Sequence, residues 1–246
     1  MHSNIIIDTY LTRLDKKAIQ LDISKYPRDF NVIDLSRFIW LKEFNCELDP
    51  SYKLNKSNRP HNILSKQPIA KILNPPIILE KLICSGNSIT NLDNFLYCNN
   101  LKYIDCSVNL IEKIDFLPLF IIELNVSYNK IKSLDLLPSE LKKLSCSSNK
   151  ITSLNNLPEK LEELDCSENN IILLNNLPNG LIKLSCSSNK ITSLNNLPTS
   201  LNHLNCSSNL INNLDWLPSS IETLLCNQNN IKNFDNLPST INVIYK

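Results

Sequence analysis

The stretch LSCSSNKITSLNNLP fills residues 144–158 and returns, letter for letter, at residues 184–198. The two copies belong to a longer period. Cysteine recurs at Cys84, Cys106, Cys146, Cys166, Cys186, Cys206 and Cys226; after one step of 22, every interval is 20 or twice 20, with Val126 in the single gap. Asparagine keeps the same step at Asn87, Asn109, Asn129, Asn149, Asn169, Asn189, Asn209 and Asn229, and proline does so from Pro118 to Pro238. The unit reads LxxLxCxxNxIxxLxxLPxx. Eight complete copies begin at Leu79, Leu101, Ile121, Leu141, Leu161, Leu181, Leu201 and Ile221, and a ninth, INVIYK, supplies only a strand. Such a period marks a repeat solenoid, because one short unit cannot bury its apolar face alone and a stack of them can.

Each letter of the unit has a physical task. In LKKLSCSSN (residues 141–149) the apolar residues at unit positions 4 and 6 alternate with polar ones, which predicts a short strand with one buried face. Stacked copies then form a parallel sheet with strands ~4.8 Å apart. Twenty residues are too few for a full crossover helix, and the proline near the end of each unit opposes one. The return path on the convex side is therefore expected to be extended or polyproline-like, with little helix. Ile151, Leu154, Leu157 and their equivalents fill the core. The asparagine at position 9 sits where the chain turns off the strand, and its amide can both donate and accept. A ladder of these asparagines would pair backbone groups that otherwise cost ~1–3 kcal/mol each when buried unpaired.

Over residues 79–246 this pattern resembles the leucine-rich repeat, LxxLxLxxNxL. The 20-residue unit with NLP before the next strand is similar to the short repeats of secreted bacterial effectors, some of which carry a ubiquitin-ligase domain, and to repeats of giant viruses of amoebae. The resemblance implies a solenoid whose concave parallel sheet binds proteins. It also implies a runner-up role, substrate recognition or an adaptor for ubiquitin transfer, in which the catalytic domain would have to come from a recruited partner.

This chain departs from the usual pattern in placing Cys rather than Leu at position 6. A metal site needs ligands that converge on one point, whereas a step of 20 lines sulfurs in a row. Catalysis needs an activated thiolate, and His2, His61 and His203 stand in no recognisable Cys/His arrangement. The remaining reading is Cys as a small buried hydrophobe at a crowded position. Neighbouring coils are close enough for a bridge in principle. Cys98 lies off the row, in the one 22-residue unit, and is the expected reactive thiol. No catalytic residue, cofactor or metal ligand is assigned.

The first 78 residues are irregular. AIQLDIS (18–24) and LKEFNC (41–46) read as degenerate repeat strands, and residues 1–46 as an N-terminal cap over the end of the solenoid. Residues 47–78 read as an irregular loop or insertion with a basic bias from Lys53, Lys56, Arg59, Lys66 and Lys71, leading into the repeats at 79–246. The last strand, 241–246, offers an open edge through which the chain could self-associate as a structural protein.

Positions 2, 3, 5, 7 and 8 of each unit are expected to face outward on the concave side. Position 3 reads Lys81, Tyr103, Glu123, Lys143, Glu163, Lys183, His203 and Thr223, with signs alternating from 123 to 183. Stacked opposite charges can pair, so the middle of the face neutralises itself. Ile83, Tyr103, Val108, Ile122 and Tyr128 are the candidate partner-binding residues, apolar and aromatic on a surface otherwise made of Ser, Asn and charge. A formal net charge of +1 gives no overall drive toward nucleic acid or a membrane surface. The start of the chain lacks a basic n-region and a proper apolar core, so no secretory signal is expected, and nine cysteines are expected as thiols in a reducing cytoplasm, including that of a host cell. The function these features favour is non-catalytic protein binding through the concave face.

Overall fold

The computed structural model describes residues 15–25, 30–48, 68–235 and 237–245. Its strands are all three residues long: β1 (Gln20–Asp22), β2 (Val32–Asp34), β3 (Glu43–Asn45), β4 (Lys71–Leu73), β5 (Lys81–Ile83), β6 (Tyr103–Asp105), β7 (Glu123–Asn125), β8 (Lys143–Ser145), β9 (Glu163–Asp165), β10 (Lys183–Ser185), β11 (His203–Asn205), β12 (Thr223–Leu225) and β13 (Val243–Tyr245). Eleven of them form one parallel sheet in the order β1-β3-β5-β6-β7-β8-β9-β10-β11-β12-β13. The register never slips: Lys183 pairs with His203 and Glu163, and Leu184 with Leu204 and Leu164. From β2 to β12 the middle residue of each strand is buried and its neighbours are not, the period-2 alternation of a sheet with one face in the core.

Among the described residues the opposite wall carries little regular structure beyond the paired strands β2 and β4 and a 3-10 turn at Asp93–Phe95. It is nonetheless a hydrogen-bonded ladder. Leu110 N donates to Ile89 O at 2.9 Å, Lys130 N to Ile111 O at 2.8 Å and Lys150 N to Ile131 O at 2.8 Å. The proline of each unit heads the turn into the next strand: Leu141 N donates to Pro138 O, Leu161 N to Pro158 O and Leu181 N to Pro178 O. Asn156, Asn176 and Asn196 adopt positive φ in the NNLP turns, a conformation asparagine tolerates better than most side chains. Between the two walls lies a core one side chain deep on each side, with Leu141, Leu144, Cys146, Ile151, Leu154 and Leu157 all buried in a typical coil. Among the described residues no helix is long and apolar enough to cross a membrane.

The solenoid extends N-terminal of the clear repeats. β1 pairs with β3 on the concave sheet and β2 with β4 on the convex wall, so β1 and β2 are the two walls of one coil, β3 and β4 those of the next. Residues 68–78, read from sequence as part of a loop, belong to the convex wall, where Ile69 is 0% and Ile72 3% exposed. The long excursion from the 20-residue pattern thus falls inside the second coil, between Leu48 and Ile69. The basic residues Lys53, Lys56, Arg59 and Lys66 lie outside the described residues, as does the chain start up to residue 14.

Candidate binding surface

The asparagine of each unit holds two coils at once. Asn149 Nδ2 donates to Cys146 O at 3.1 Å and Ser147 O at 3.1 Å in its own coil, and to Val126 O at 3.0 Å in the coil before. Its Oδ1 accepts from Ile131 N of that previous coil at 2.9 Å. The same set of bonds recurs at Asn87, Asn109, Asn129, Asn169, Asn189, Asn209 and Asn229, each taking the amide of the isoleucine one coil back. Both ends of every amide are engaged, so each coil is tied to its neighbour through side chains as well as through the sheet. A surface carried on such a stack is rigid and formed before any partner arrives.

All nine cysteines are thiols outside any disulfide, and all are buried. Burial pushes the thiols of Cys84, Cys146 and Cys186 far above the usual range, with the neighbouring cysteines adding to it, and Cys206 up to about 12. These groups stay neutral, and Cys106 and Cys166 turn their Sγ toward the backbone oxygens of Asn125 and Ser185 in the next coil at 3.5 and 3.4 Å. Cys98 does not have the accessible, activated thiol expected from its place off the row. It is 1% exposed, burial pushes it up to about 11, and its Sγ faces Pro76 O at 3.5 Å. An ordinary thiol reagent is therefore expected to titrate no cysteine in the native protein and all nine after denaturation. Cys146→Val should cost under about 1 kcal/mol, because Val126 already occupies that unit position with 0% exposure, whereas Cys146→Ser should cost ~1–3 kcal/mol by burying a hydroxyl. Urea midpoints of the two variants check this.

Positions 3 and 5 form two half-buried or exposed rows on the concave face, with the buried position 4 between them. Position 7 is less open than expected. Ser85, Ser127, Ser167 and Ser207 are buried, because the small side chain tucks against the adjacent coil, as in Ser167 Oγ to Ser185 Oγ at 2.8 Å and Ser207 Oγ to Asn227 Oδ1 at 2.6 Å. The alternating charges of position 3 meet: Glu163 Oε1 lies 3.5 Å from Lys143 Nζ and 3.3 Å from Lys183 Nζ. Position 2 does the same, with Lys142 Nζ 2.8 Å from Glu162 Oε1, and that hydrogen bond raises the Lys142 pKa. A groove of about 420 Å³ runs along the face from Tyr103 on β6 to Leu225 on β12.

The five candidate residues fall in three places. Ile83 and Tyr103 lie on adjacent strands in rows 5 and 3, where Tyr103 pairs with Lys81. Val108 and Tyr128 lie one coil apart on the rim beyond the strand ends, both with positive φ. Ile122 sits at the opposite rim, its N–H on Lys102 O at 2.9 Å. Tyr103 lines one end of the groove. Lys81 Nζ stands 5.2 Å from its ring centroid, and burial first, then the carboxylates of Asp105, Glu123 and Glu47, push its hydroxyl pKa up. The Lys81–Tyr103 contact was missed at the sequence level, although both residues stand at position 3 of consecutive units.

A parallel short-strand sheet, an asparagine ladder and a 20-residue period define a leucine-rich-repeat solenoid. The model for the family described as Leucine Rich repeats (2 copies) matches residues 79–119, while no curated protein matches the chain. Among solved structures, the functional domain of InlJ from Listeria monocytogenes, described as including a cysteine ladder, is 26% identical with a TM-score of 0.66 over 85% of this chain and 44% of that one. YopM from Yersinia pestis, described as a leucine-rich effector protein, has a TM-score of 0.64 at 23% identity over 86% of this chain and 67% of its own. A leucine-rich-repeat protein of Leptospira interrogans gives 0.53 at 21% identity, covering 81% and 71%. This chain spans less than half the length of the Listeria protein it matches. The chain has the leucine-rich-repeat fold, one that commonly serves protein–protein interaction, and that fold is similar to those of InlJ and YopM.

Proposed function

We propose that the chain is a non-catalytic binding module that engages a protein partner on its concave face, in a reducing cytoplasm. The observation that carries this reading is the groove along that face, open across seven strands, with Tyr103 at one end. A sheet already ordered by its asparagine ladder loses little conformational freedom on binding, so its contact energy goes into affinity. An aromatic side chain half-buried in a concave surface is the kind of anchor on which interface energy concentrates. Buried, neutral thiols and a self-neutralised central face supply no nucleophile and no one-signed stripe for a polyanion.

The test is capture of a partner by crosslinking in the native cell, with wild type beside Tyr103→Thr/Tyr128→Ser. Both replacements already stand at the same unit positions elsewhere, as Thr223 and Ser148. The variant should therefore fold. It is expected to retain roughly a tenth or less of the partner. Equal capture by both proteins would overturn the concave-face reading.

A further inference from the structure

The inner rows of the concave face differ in charge between its two halves, whereas the rim positions 2 and 8 carry Lys25, Lys42, Glu80 and Lys102 in the first half and Lys142, Glu162, Glu168 and Glu222 in the second. Along rows 3, 5 and 7 from β1 to β7 stand five carboxylates, Asp22, Glu43, Glu47, Asp105 and Glu123, against the single amine of Lys81, a balance of −4. The same rows from β8 to β12 carry Glu163 and Asp165 against Lys143 and Lys183, a balance of zero, and three of those four are already joined in ion pairs. The bases that border the acidic half are engaged at its margins. Lys42 Nζ is 2.6 Å from Glu80 Oε1, Lys102 Nζ is 5.0 Å from the Phe120 ring centroid, and Lys25 acts on Asp22 at the rim.

Ile83 and Tyr103 add an aliphatic and an aromatic side chain to the inner rows of the acidic half, as Leu225 adds an aliphatic one at the far end of the groove. A concavity of about 440 Å³ between β1 and β5 is lined by Asp22, Glu43, Lys81 and Ile83. Lys81 over the Tyr103 ring shows that this ring face accepts a cation. Asp105, Glu123 and Glu47 are close enough to Tyr103 to act on its hydroxyl, so one aromatic ring is surrounded by negative charge. We propose that the face from Gln20 to Glu123 docks a basic, extended segment of the partner protein, with arginine or lysine side chains over the carboxylates and the Tyr103 ring and an apolar side chain on Ile83. The proposal rests on the concave-face binding described above and specifies its chemistry. Four strand intervals of ~4.8 Å span ~19 Å, about the length of six extended residues. A cluster of one sign in a concave surface raises the local concentration of oppositely charged ligands, and its effect falls as salt rises.

The test uses the full chain and two fluorescein-labelled hexapeptides, one alternating arginine and leucine, the other alternating glutamate and leucine, read by anisotropy. The arginine peptide is expected to bind at least ~30-fold more tightly than the glutamate peptide, and severalfold less tightly in 0.3 M salt. Glu43→Gln/Asp105→Asn/Glu123→Gln should weaken the arginine peptide ~10-fold or more. These changes preserve local bonding, since Asn125 stands in the row of Asp105 and accepts from Ser127 N at 3.1 Å, as Asp105 does from Ser107 N at 3.0 Å. Glu163→Gln/Asp165→Asn should leave the affinity within about twofold. Equal binding of the two peptides, loss in the Glu163/Asp165 variant instead, or no saturation below about 1 mM would overturn the inference. If the tyrosine variant still loses its native partner while the arginine peptide fails to bind, concave-face binding stands and the basic segment falls.

Discussion

Asn149→Asp is expected to destabilise the protein by ~3–5 kcal/mol at neutral pH, although it exchanges one amide for an oxygen of nearly the same size. Asn149 is 9% exposed, and its Nδ2 faces three backbone oxygens, those of Val126, Cys146 and Ser147. A carboxylate has no proton to offer them and sets a negative charge against three carbonyl dipoles. Only the bond from Ile131 N survives. The variant's carboxyl is thereby held above its ordinary range in the folded state. Its protonated form is the better tolerated one, so the folded variant comes closest to wild type at low pH and loses ground as pH climbs past the unfolded value of ~3.9. Asn149→Ala removes the same bonds without adding charge and should cost less, ~2–4 kcal/mol, with no such pH slope. Asn155→Asp, on the exposed convex turn, should change stability by under about 0.5 kcal/mol. Urea midpoints at pH 4 and pH 7 decide it. A variant at position 149 that unfolds like wild type at both would mean the ladder contributes nothing.

The ladder, the row of buried cysteines and the alternation of the strands could be read from the letters alone. Each depends on a residue type recurring at a fixed interval, and a stack of identical coils converts interval into contact. Glu163 meeting Lys143 and Lys183 follows from the same arithmetic, since a step of 20 is one strand sideways. What resisted reading is what breaks the interval. β1 and β3 lie within AIQLDIS and LKEFNC, which read as degenerate repeat strands, but the excursion between Leu48 and Ile69 hides that β3 and β4 are walls of one coil. Cys98 was legible as an exception to the row but not as buried, because the 22-residue unit absorbs its two extra residues around the 3-10 turn and turns that thiol inward. The candidate patch was legible residue by residue and not as a shape. Ile122 precedes its strand and Tyr128 follows it, so residues six apart in the chain stand at opposite rims of the face.

Gly86→Ala is expected to cost ~3 kcal/mol or more, out of proportion to one methyl group. Glycine here does not serve φ alone. At the same unit position Val108, Tyr128, Ser148, Glu168, Ser188, Ser208 and Gln228 all adopt φ between 52° and 56° with full side chains, against 73° at Gly86. The difference is the neighbour. A Cβ on Gly86 would stand 1.7 Å from Leu48 O and 2.8 Å from Leu48 C, both backbone atoms. Leu48 cannot yield easily, since its side chain is 1% exposed and its N–H donates to Ser85 O at 2.9 Å. The following residue is the ladder's Asn87, whose Nδ2 donates to Cys46 O at 2.9 Å and whose Oδ1 accepts from Ile69 N at 2.9 Å. One side chain therefore fastens both ends of the excursion between Leu48 and Ile69, and any shift forced at Gly86 passes directly into it. Ser188→Ala, at the same unit position without that neighbour, should stay within about 0.5 kcal/mol of wild type. Hydrogen exchange separates a local cause from a general one: the Ile69 amide should lose protection in the glycine variant by more than the equivalent Ile151 amide, which is bonded to Asn169 Oδ1 at 2.9 Å. Equal loss at both amides, or an unchanged urea midpoint, would show that Leu48 moves aside and that this glycine is not what closes the second coil.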